Sequence, residues 1–190
     1  MKKITRRVFH PGVFLAIALF IALLGSCYYV NFDAILHEVR SDLESGDYDG
    51  AIEKAQEAFQ KAFSNWNKAS LHALVGWAHW MKNDPGQASA SFDRALGYSM
   101  VSDAVAGRIA LDFDNRDYQE IFSFRSHLSV LPDNWSIQAG PKTLDHEQVS
   151  EIVLLCCGIQ GDGQAFLEIK ASEQDVVDPQ FLAEMEAFFF

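Results

Sequence analysis

The sequence has little cysteine, few basic side chains and few prolines. Its 190 residues include 3 Cys and 5 Pro, and 15 Lys and Arg residues stand against 26 Asp and Glu residues. So little cysteine cannot build the disulfide network that stabilises many small secreted domains. The acidic excess repels phosphate backbones, so we expect no nucleic-acid partner. A hydrophobic core must therefore hold the fold together.

Recognisable catalytic and metal-binding motifs are also lacking. The chain has no Gly-x-Ser-x-Gly nucleophile elbow and no His-Glu-x-x-His zinc motif. The acidic segment Asp112–Asp117 is similar to a calcium loop, but Arg116 stands where an oxygen ligand is required, which favours a turn between helices. His72 and His79 are seven residues apart on one predicted helix, and packing explains them better than a metal pair. We predict a protein that is not an enzyme and that has no cofactor and no metal site.

Two of the three cysteines are adjacent. Cys156 and Cys157 lie in the apolar run 152–159. A disulfide needs Cα atoms about 4.4–6.8 Å apart, whereas a trans peptide holds neighbouring Cα atoms about 3.8 Å apart. We therefore predict two buried thiols that behave as small hydrophobic side chains.

The first 27 residues have the order of a secretory signal. A basic segment precedes the uncharged apolar run Val13–Leu24, and small residues stand directly before Cys27. This order resembles the lipobox of bacterial lipoproteins, which implies that the sulfur of Cys27 is diacylated and that cleavage makes it the N-terminus. Two acyl chains give stable membrane anchoring. The basic residues are Lys2, Lys3, Arg6 and Arg7.

An uncleaved membrane anchor is the alternative interpretation. Val13–Val30 contains no charge and is just long enough to span a bilayer. Thr5–Phe9 also resembles a twin-arginine signal, although the very apolar run favours general secretion. Each alternative places the protein in the cell envelope, on the extracytoplasmic (periplasmic) face of a membrane. Without residues 1–27, 11 basic and 26 acidic side chains remain, a net charge of −15.

The rest of the chain is organised around the segment Ser70–Leu96. Its apolar residues recur at helical spacing on both sides of the turn sequence Asn83–Gly86. Asp84 can cap a helix start, and Pro85 suits a first helical position. The pattern predicts two short antiparallel helices whose shared apolar face needs neighbouring copies to bury it. The first helix carries the stripe Leu71, Leu74, Val75, Ala78 and Met81.

Copies of this pattern recur along the chain. If Ala51, Ala88, Ile121 and Ala165 are equivalent, the spacings are 37, 33 and 44 residues. The first two lie near the 34-residue period of tetratricopeptide repeats (TPRs).

The central unit resembles a TPR over residues 70–96. Its small residues stand where TPR helices touch, and Phe92 stands at the aromatic position. The resemblance covers residues 33–131 and implies antiparallel helix pairs stacked into a curved array. The glycine and alanine positions of the family correspond to Gly76, Ala88 and Ala95.

The sequence therefore predicts an all-α fold, a short TPR-like solenoid with a C-terminal capping helix. Residues 1–27 form the signal or anchor, residues 28–131 the repeats, and residues 132–190 a degenerate fourth repeat and the capping helix. Residues 146–172 fit either helices or a buried strand. Further predicted elements are helices over Asn31–Leu43, Tyr48–Trp66, Val101–Phe113 and Tyr118–Leu131, a loop over Asp133–Lys142, and a last helix from Asp178–Pro179.

The predicted functional surface lies on the first helix of the central pair. The resemblance implies that first helices line a concave groove, where Trp77, Trp80 and His79 would bind a partner. We expect at least one of the two tryptophans to pack between neighbouring units instead. We expect a non-enzymatic, membrane-anchored TPR lipoprotein that acts as a scaffold for another envelope protein. The alternative is a ligand-binding accessory, similar to the TPR partners of periplasmic solute-binding proteins, with a small apolar molecule in the groove.

Overall fold

The computed structural model describes residues 32–189, and these are mostly helical. The predicted signal segment, with Cys27, lies outside them. No helix within 32–189 is long and apolar enough to cross a membrane. The elements are α1 (32–45), α2 (Tyr48–Phe59), α3 (Asn65–Met81), α4 (Pro85–Tyr98), α5 (Ser102–Asp114), α6 (Tyr118–Ser123), a 3₁₀ helix (Arg125–Val130), β1 (Ser136–Ala139), β2 (Lys142–Asp145), α7 (His146–Gln160), α8 (Gly163–Glu173) and α9 (Pro179–Phe189).

Four helix-to-helix turns share one backbone geometry. In each, a residue with positive φ precedes an aspartate, and the aspartate N–H donates to the carbonyl five residues earlier at 2.8–3.0 Å. The aspartate carboxylate then accepts from the backbone N–H three residues later, which caps the next helix. The four turns are Gly46–Asp47, Asn83–Asp84, Arg116–Asp117 and Gly161–Asp162.

These turns test the predicted equivalence of the units. Ala51, Ala88 and Ile121 each stand four residues after the capping aspartate, and each is fully buried. In the fourth unit that place belongs to Phe166, whose N–H donates to the Asp162 carbonyl. The predicted equivalence of Ala165 is therefore wrong by one residue. The interpretation of Asp112–Asp117 as a turn is confirmed.

The core of the central pair is a phenylalanine between two glycines. Phe92 of α4 is fully buried and packs edge-on against Trp77, with ring centroids 5.9 Å apart. A Cβ atom on Gly76 of α3 would lie 2.6 Å from the Phe92 ring, and one on Gly107 of α5 would lie closer still. Three helices therefore meet at this ring without room for another methyl group. The predicted contact role of Gly76 is confirmed.

Neighbouring helices pack in sequence order. Helix α3 contacts α2, α4 and α5; α5 also contacts α4, α6 and α7; and α7 contacts α8 and α9. First helices of successive pairs thus touch each other as well as their own partners. The all-α prediction is confirmed at this level, apart from one hairpin.

That hairpin corrects the predicted loop over Asp133–Lys142. Strands β1 and β2 pair antiparallel, with Ala139 opposite Lys142. The connecting residues are Gly140 and Pro141, and Gly140 has φ +56°, which a II′ hairpin turn requires of its first central residue. A short hairpin is marginal alone, so its packing against the helices must hold it.

Three other expectations are settled by the helix boundaries. Tyr118–Leu131 is not one α-helix, because α6 ends at Ser123 and a 3₁₀ helix follows over Arg125–Val130. Tyr48–Trp66 is not one helix, because α2 ends at Phe59 and the side chain of Ser64 accepts from the Asn67 N–H to begin α3. Residues 146–172 are the helices α7 and α8 and contain no strand. The run around Cys156 was ambiguous because apolar residues alone fit either element.

Candidate functional site

The hairpin lies across the first helices of the first three pairs, on a surface that we call the hairpin groove (Leu43, Trp77, Trp80, Asp103 and Asp114). The N–H of Gly140 donates to the carbonyl of Leu43 at the end of α1, at 2.9 Å. Gly140 also approaches the hydroxyl of Tyr48 so closely that no Cβ could fit between them. The hairpin turn is therefore fixed against the first helix pair.

The middle of the groove holds Lys142 of β2. Its ammonium lies 4.2 Å from the centroid of the Trp80 ring and 3.6 Å from the carboxylate of Asp114. The indole N–H of Trp80 donates to the same carboxylate at 3.1 Å. A cation over an indole face contributes about 0.5–1 kcal/mol at an exposed site. Trp80 is therefore half-buried beneath a strand of its own chain.

Asp103 joins the groove to the base of the hairpin. Its carboxylate is buried, accepts from the indole N–H of Trp135 at 2.9 Å and is paired with Arg40. Its backbone carbonyl accepts from the indole N–H of Trp77, also at 2.9 Å. A buried carboxylate left without these donors would cost several kcal/mol. Asp103 therefore couples α1, α3 and α5 to the segment that enters β1.

The three residues that were predicted to line one groove lie in three different environments. Trp77 is 1% exposed and belongs to the core beneath the groove, and Trp80 lines the groove next to it, with ring centroids 5.2 Å apart. His79 lines a separate cleft between α2, α3 and α4. The structure therefore brings Trp77 and Trp80 together and separates His79 from them.

That second cleft, the α2–α4 cleft, has a volume of about 310 Å³ and an aromatic wall. The His72 ring lies 4.7 Å from the ring of Phe59 and stacks on Tyr98 at 5.8 Å. Burial, with a smaller contribution from Arg94, lowers the pKa of His72. Burial also lowers the pKa of His79, against the opposing charge of Asp84. Apart from His72, His79 and Arg94, the lining is Ala55, Gln56, Phe59, Gln60, Leu71, Val75, Gln87 and Ser91.

A buried polar cluster joins α7 to α8. The hydroxyl of Ser150 donates to Glu173 Oε2 at 3.1 Å, and His146 Nε2 lies 2.9 Å from the same oxygen. A serine nucleophile needs a histidine that accepts its proton. Here the Ser150 hydroxyl donates to the carboxylate and not to His146, so the arrangement is that of a structural node.

The part of the chain from 32 to 189 offers neither a metal site nor a reactive thiol. Within residues 32–189, no group of three or more His, Cys, Asp or Glu side chains could hold a metal ion. Cys156 and Cys157 are free, buried thiols, as predicted. Burial raises the pKa of Cys156 to about 12 and that of Cys157 to about 11, so neither is a ready nucleophile.

The sequence analysis missed Asp103, Trp135 and Lys142. Asp103 resembles any acidic residue in a first helical turn, and Trp135 stands in a stretch rich in turn residues. One signal was available, because Gly140–Pro141 is compatible with a two-residue hairpin turn, although Ile137 and Thr143 alone in the flanking segments favour strands. Nothing in the local sequence indicates that the hairpin folds back onto the first helix pair.

The chain matches no family model, no curated protein and no solved structure.

Proposed function

We propose that the protein is a non-enzymatic, membrane-anchored TPR-like lipoprotein that acts as a scaffold in the cell envelope. The repeat part of the proposal is supported by the four equivalent Asp-capped turns and by the contacts between successive first helices. Stacked helix pairs of this kind offer an extended surface for polypeptide binding. Helix α9 packs on α7, which agrees with a capping role at the end of the array.

One observation carries the assignment of the groove, namely that it already holds polypeptide. The hairpin engages it through a backbone hydrogen bond to Leu43, a cation–π contact with Trp80 and an indole hydrogen bond to Asp103. A segment of another protein can use the same donors, acceptors and aromatic face. The hairpin then acts as a resident occupant, and a partner gains access when the hairpin moves aside.

Membrane anchoring rests on the sequence. The basic segment, the apolar run and Cys27 follow the lipobox order, with an uncleaved anchor as the alternative. The two differ in mass, because cleavage removes residues 1–26 and adds lipid to Cys27. The intact mass of the protein purified from membranes distinguishes them. Either way, the scaffold is held at the extracytoplasmic face.

The partner assignment can be tested by photocrosslinking in cells. A photoreactive phenylalanine analogue at Trp80 in the full chain should yield one discrete adduct with another envelope protein. Gly140→Val should strengthen that adduct, because a side chain there collides with Tyr48 and releases the hairpin. The matched control carries the analogue at Glu168, which is exposed on α8. No adduct from Trp80 in either background, or an equal adduct from Glu168, would contradict the proposal.

A ligand-binding accessory role is the second candidate, and the α2–α4 cleft favours it. Its volume of about 310 Å³ reaches the lower end of the roughly 300–1,000 Å³ typical of small-molecule sites. The rings of Phe59 and His72 line the cleft together with Arg94, which suits an aromatic or apolar molecule with an anionic group. Native mass spectrometry of the protein purified from its cells would reveal such a bound molecule, and the apo mass alone would count against this role.

A further inference from the structure

Exposed apolar side chains cluster at one end of the helical array. Among the side chains described for residues 32–187, six large apolar ones are exposed, and four of them lie in or beside the α2–α3 and α4–α5 connections. The four, which we call the end patch, are Phe63 (81% exposed), Trp66 (51%), Tyr98 (36%) and Met100 (41%).

The end patch lies where the chain arrives from its N-terminal segment. Trp66 and Val101 line one small cavity together with Leu36, which lies near the beginning of α1. The residues that precede α1 include the uncharged apolar run Val13–Val30. The residue through which the chain is held at the membrane, whether lipidated Cys27 or the end of an uncleaved run, therefore lies shortly before α1 in the sequence, and α1 begins at the end that carries the patch. The opposite end carries the Asp-capped turns, where Lys82 pairs with Asp49.

The charge of the end patch differs from that of the whole protein. The exported part carries a net charge of −15, yet residues 58–83 and 94–102 contain no Asp or Glu. Lys61 is exposed on the α2–α3 connection, and the Lys68 ammonium lies 5.4 Å from the Tyr98 ring centroid. Exposed aromatic rings with lysines beside them are typical of a membrane–water interface.

We propose that the end patch rests on the surface of the bilayer that holds the N-terminal segment. The inference rests on the membrane anchoring proposed above. The anchor removes most of the entropic cost of bringing the patch to the lipid, because it makes the contact intramolecular. Trp66 and Tyr98 then lie at headgroup level, and Lys61 meets lipid phosphates.

The contact is limited to the first two helix pairs. Farther along the same end, the cavity at the start of α7 is lined by acidic side chains, which an anionic surface repels. The array therefore stands tilted, with the fourth helix pair held away from the lipid. The acidic residues are Asp133, Asp145, Glu147 and Asp175.

Tryptophan quenching in vesicles tests the contact. The full chain is reconstituted in phosphatidylethanolamine–phosphatidylglycerol vesicles with brominated acyl chains, which quench nearby indoles. The four tryptophans are Trp66, Trp77, Trp80 and Trp135. Trp66→Phe should remove most of the quenchable emission, because Trp66 is exposed whereas Trp135, which lines the same cavity, is buried. Trp80→Phe should leave it unchanged, because Trp80 lies about 21 Å farther along α3 at 1.5 Å per residue.

A second pair of variants tests the patch without removing a tryptophan. Phe63→Glu should reduce the quenching of Trp66, because a carboxylate at the interface lifts this end from an anionic bilayer. Leu167→Glu is the matched control, since Leu167 is an exposed apolar residue on α8. The control should quench like the unchanged chain.

The outcomes separate the inference from the anchoring on which it rests. A chain that floats with the vesicles but shows no quenching of Trp66 overturns the inference and leaves the anchoring intact. Equal losses for Phe63→Glu and Leu167→Glu also overturn it, as does a dimer whose second copy covers the patch. A chain that does not float with the vesicles overturns the anchoring and the inference together.

Discussion

Gly107→Ala adds one methyl group at the most crowded point of the core. The new Cβ would lie closer to the Phe92 ring than the 2.6 Å found for a Cβ at Gly76. Gly76 of α3 approaches the same edge of the ring, formed by Cδ1, Cε1 and Cζ, so neither helix leaves room for the methyl group. The methyl group must therefore displace a helix or force Phe92 out of its rotamer.

The expected magnitude follows from two opposing effects. Overpacking a well-filled core costs about 1–3 kcal/mol. Replacing glycine by alanine inside a helix recovers about 0.5–1 kcal/mol. We expect Gly107→Ala to lower the free energy of unfolding by about 1 kcal/mol, which for a domain of this size lowers the Tm by about 2–4 °C.

The assay is thermal unfolding of the full chain in mild detergent, followed by circular dichroism at 222 nm. Gly97→Ala on α4 is the matched control, because nothing lies within 4 Å of the Cβ it would add. We expect that control to be neutral or stabilising by up to about 1 kcal/mol. In a Phe92→Leu background, the cost of Gly107→Ala should fall, because the ring that it strikes is gone.

A stability of Gly107→Ala equal to that of Gly97→Ala would refute the reasoning. It would mean that α5 does not pack on Phe92 as described. An equal cost of Gly107→Ala with and without Phe92 would point to a different neighbour. Either result would also remove the main packing argument for the central helix pair.

Two further predictions concern the turns and the α2–α4 cleft. Arg116 has φ +60° at the place where Gly161 has +70°, a backbone conformation that glycine adopts without strain. We therefore expect Arg116→Gly to raise the free energy of unfolding by about 0.5 kcal/mol, seen as a higher urea midpoint, and a lower midpoint would contradict this. Burial lowers the pKa of His72 in the folded chain from the ordinary value of 6.5. As the pH drops below about 6.5, the unfolded chain therefore binds a proton before the folded chain does, and the free energy of unfolding decreases. His72→Phe should weaken that dependence when Tm values at pH 7 and pH 5 are compared, and an unchanged Tm difference would argue against burial of His72.

The helical part of the fold could be predicted because its signals are local. Asp84 and Pro85 mark a helix start, and the apolar spacing around Leu74 gives the face that is buried. The same signals recur at Asp47 and Asp117, so the units could be aligned. The alignment failed by one residue because Ala165 was matched to the alanines at 51 and 88, whereas the residue four places after the capping aspartate Asp162 is Phe166.

The groove could be predicted only in part. Trp77 and Trp80 were correctly placed on a first helix, but their burial depends on residues far along the chain. Lys142 covers Trp80, and Trp135 reaches the carboxylate of Asp103. Such pairings depend on tertiary contacts that no periodicity in the sequence records. His79 was misplaced because its helix presents two different faces to two different cavities.

The hydrogen bond between Gly140 and Leu43 affects the cooperativity with which the protein unfolds. In a linear array each unit touches only its neighbours, so the ends can fray while the middle survives. Here the hairpin turn, which follows the third helix pair along the chain, is hydrogen-bonded to α1 of the first pair. Unfolding of the first pair therefore also releases the hairpin that precedes the fourth pair. While the hairpin is docked, we therefore expect the first three helix pairs to unfold in one cooperative transition.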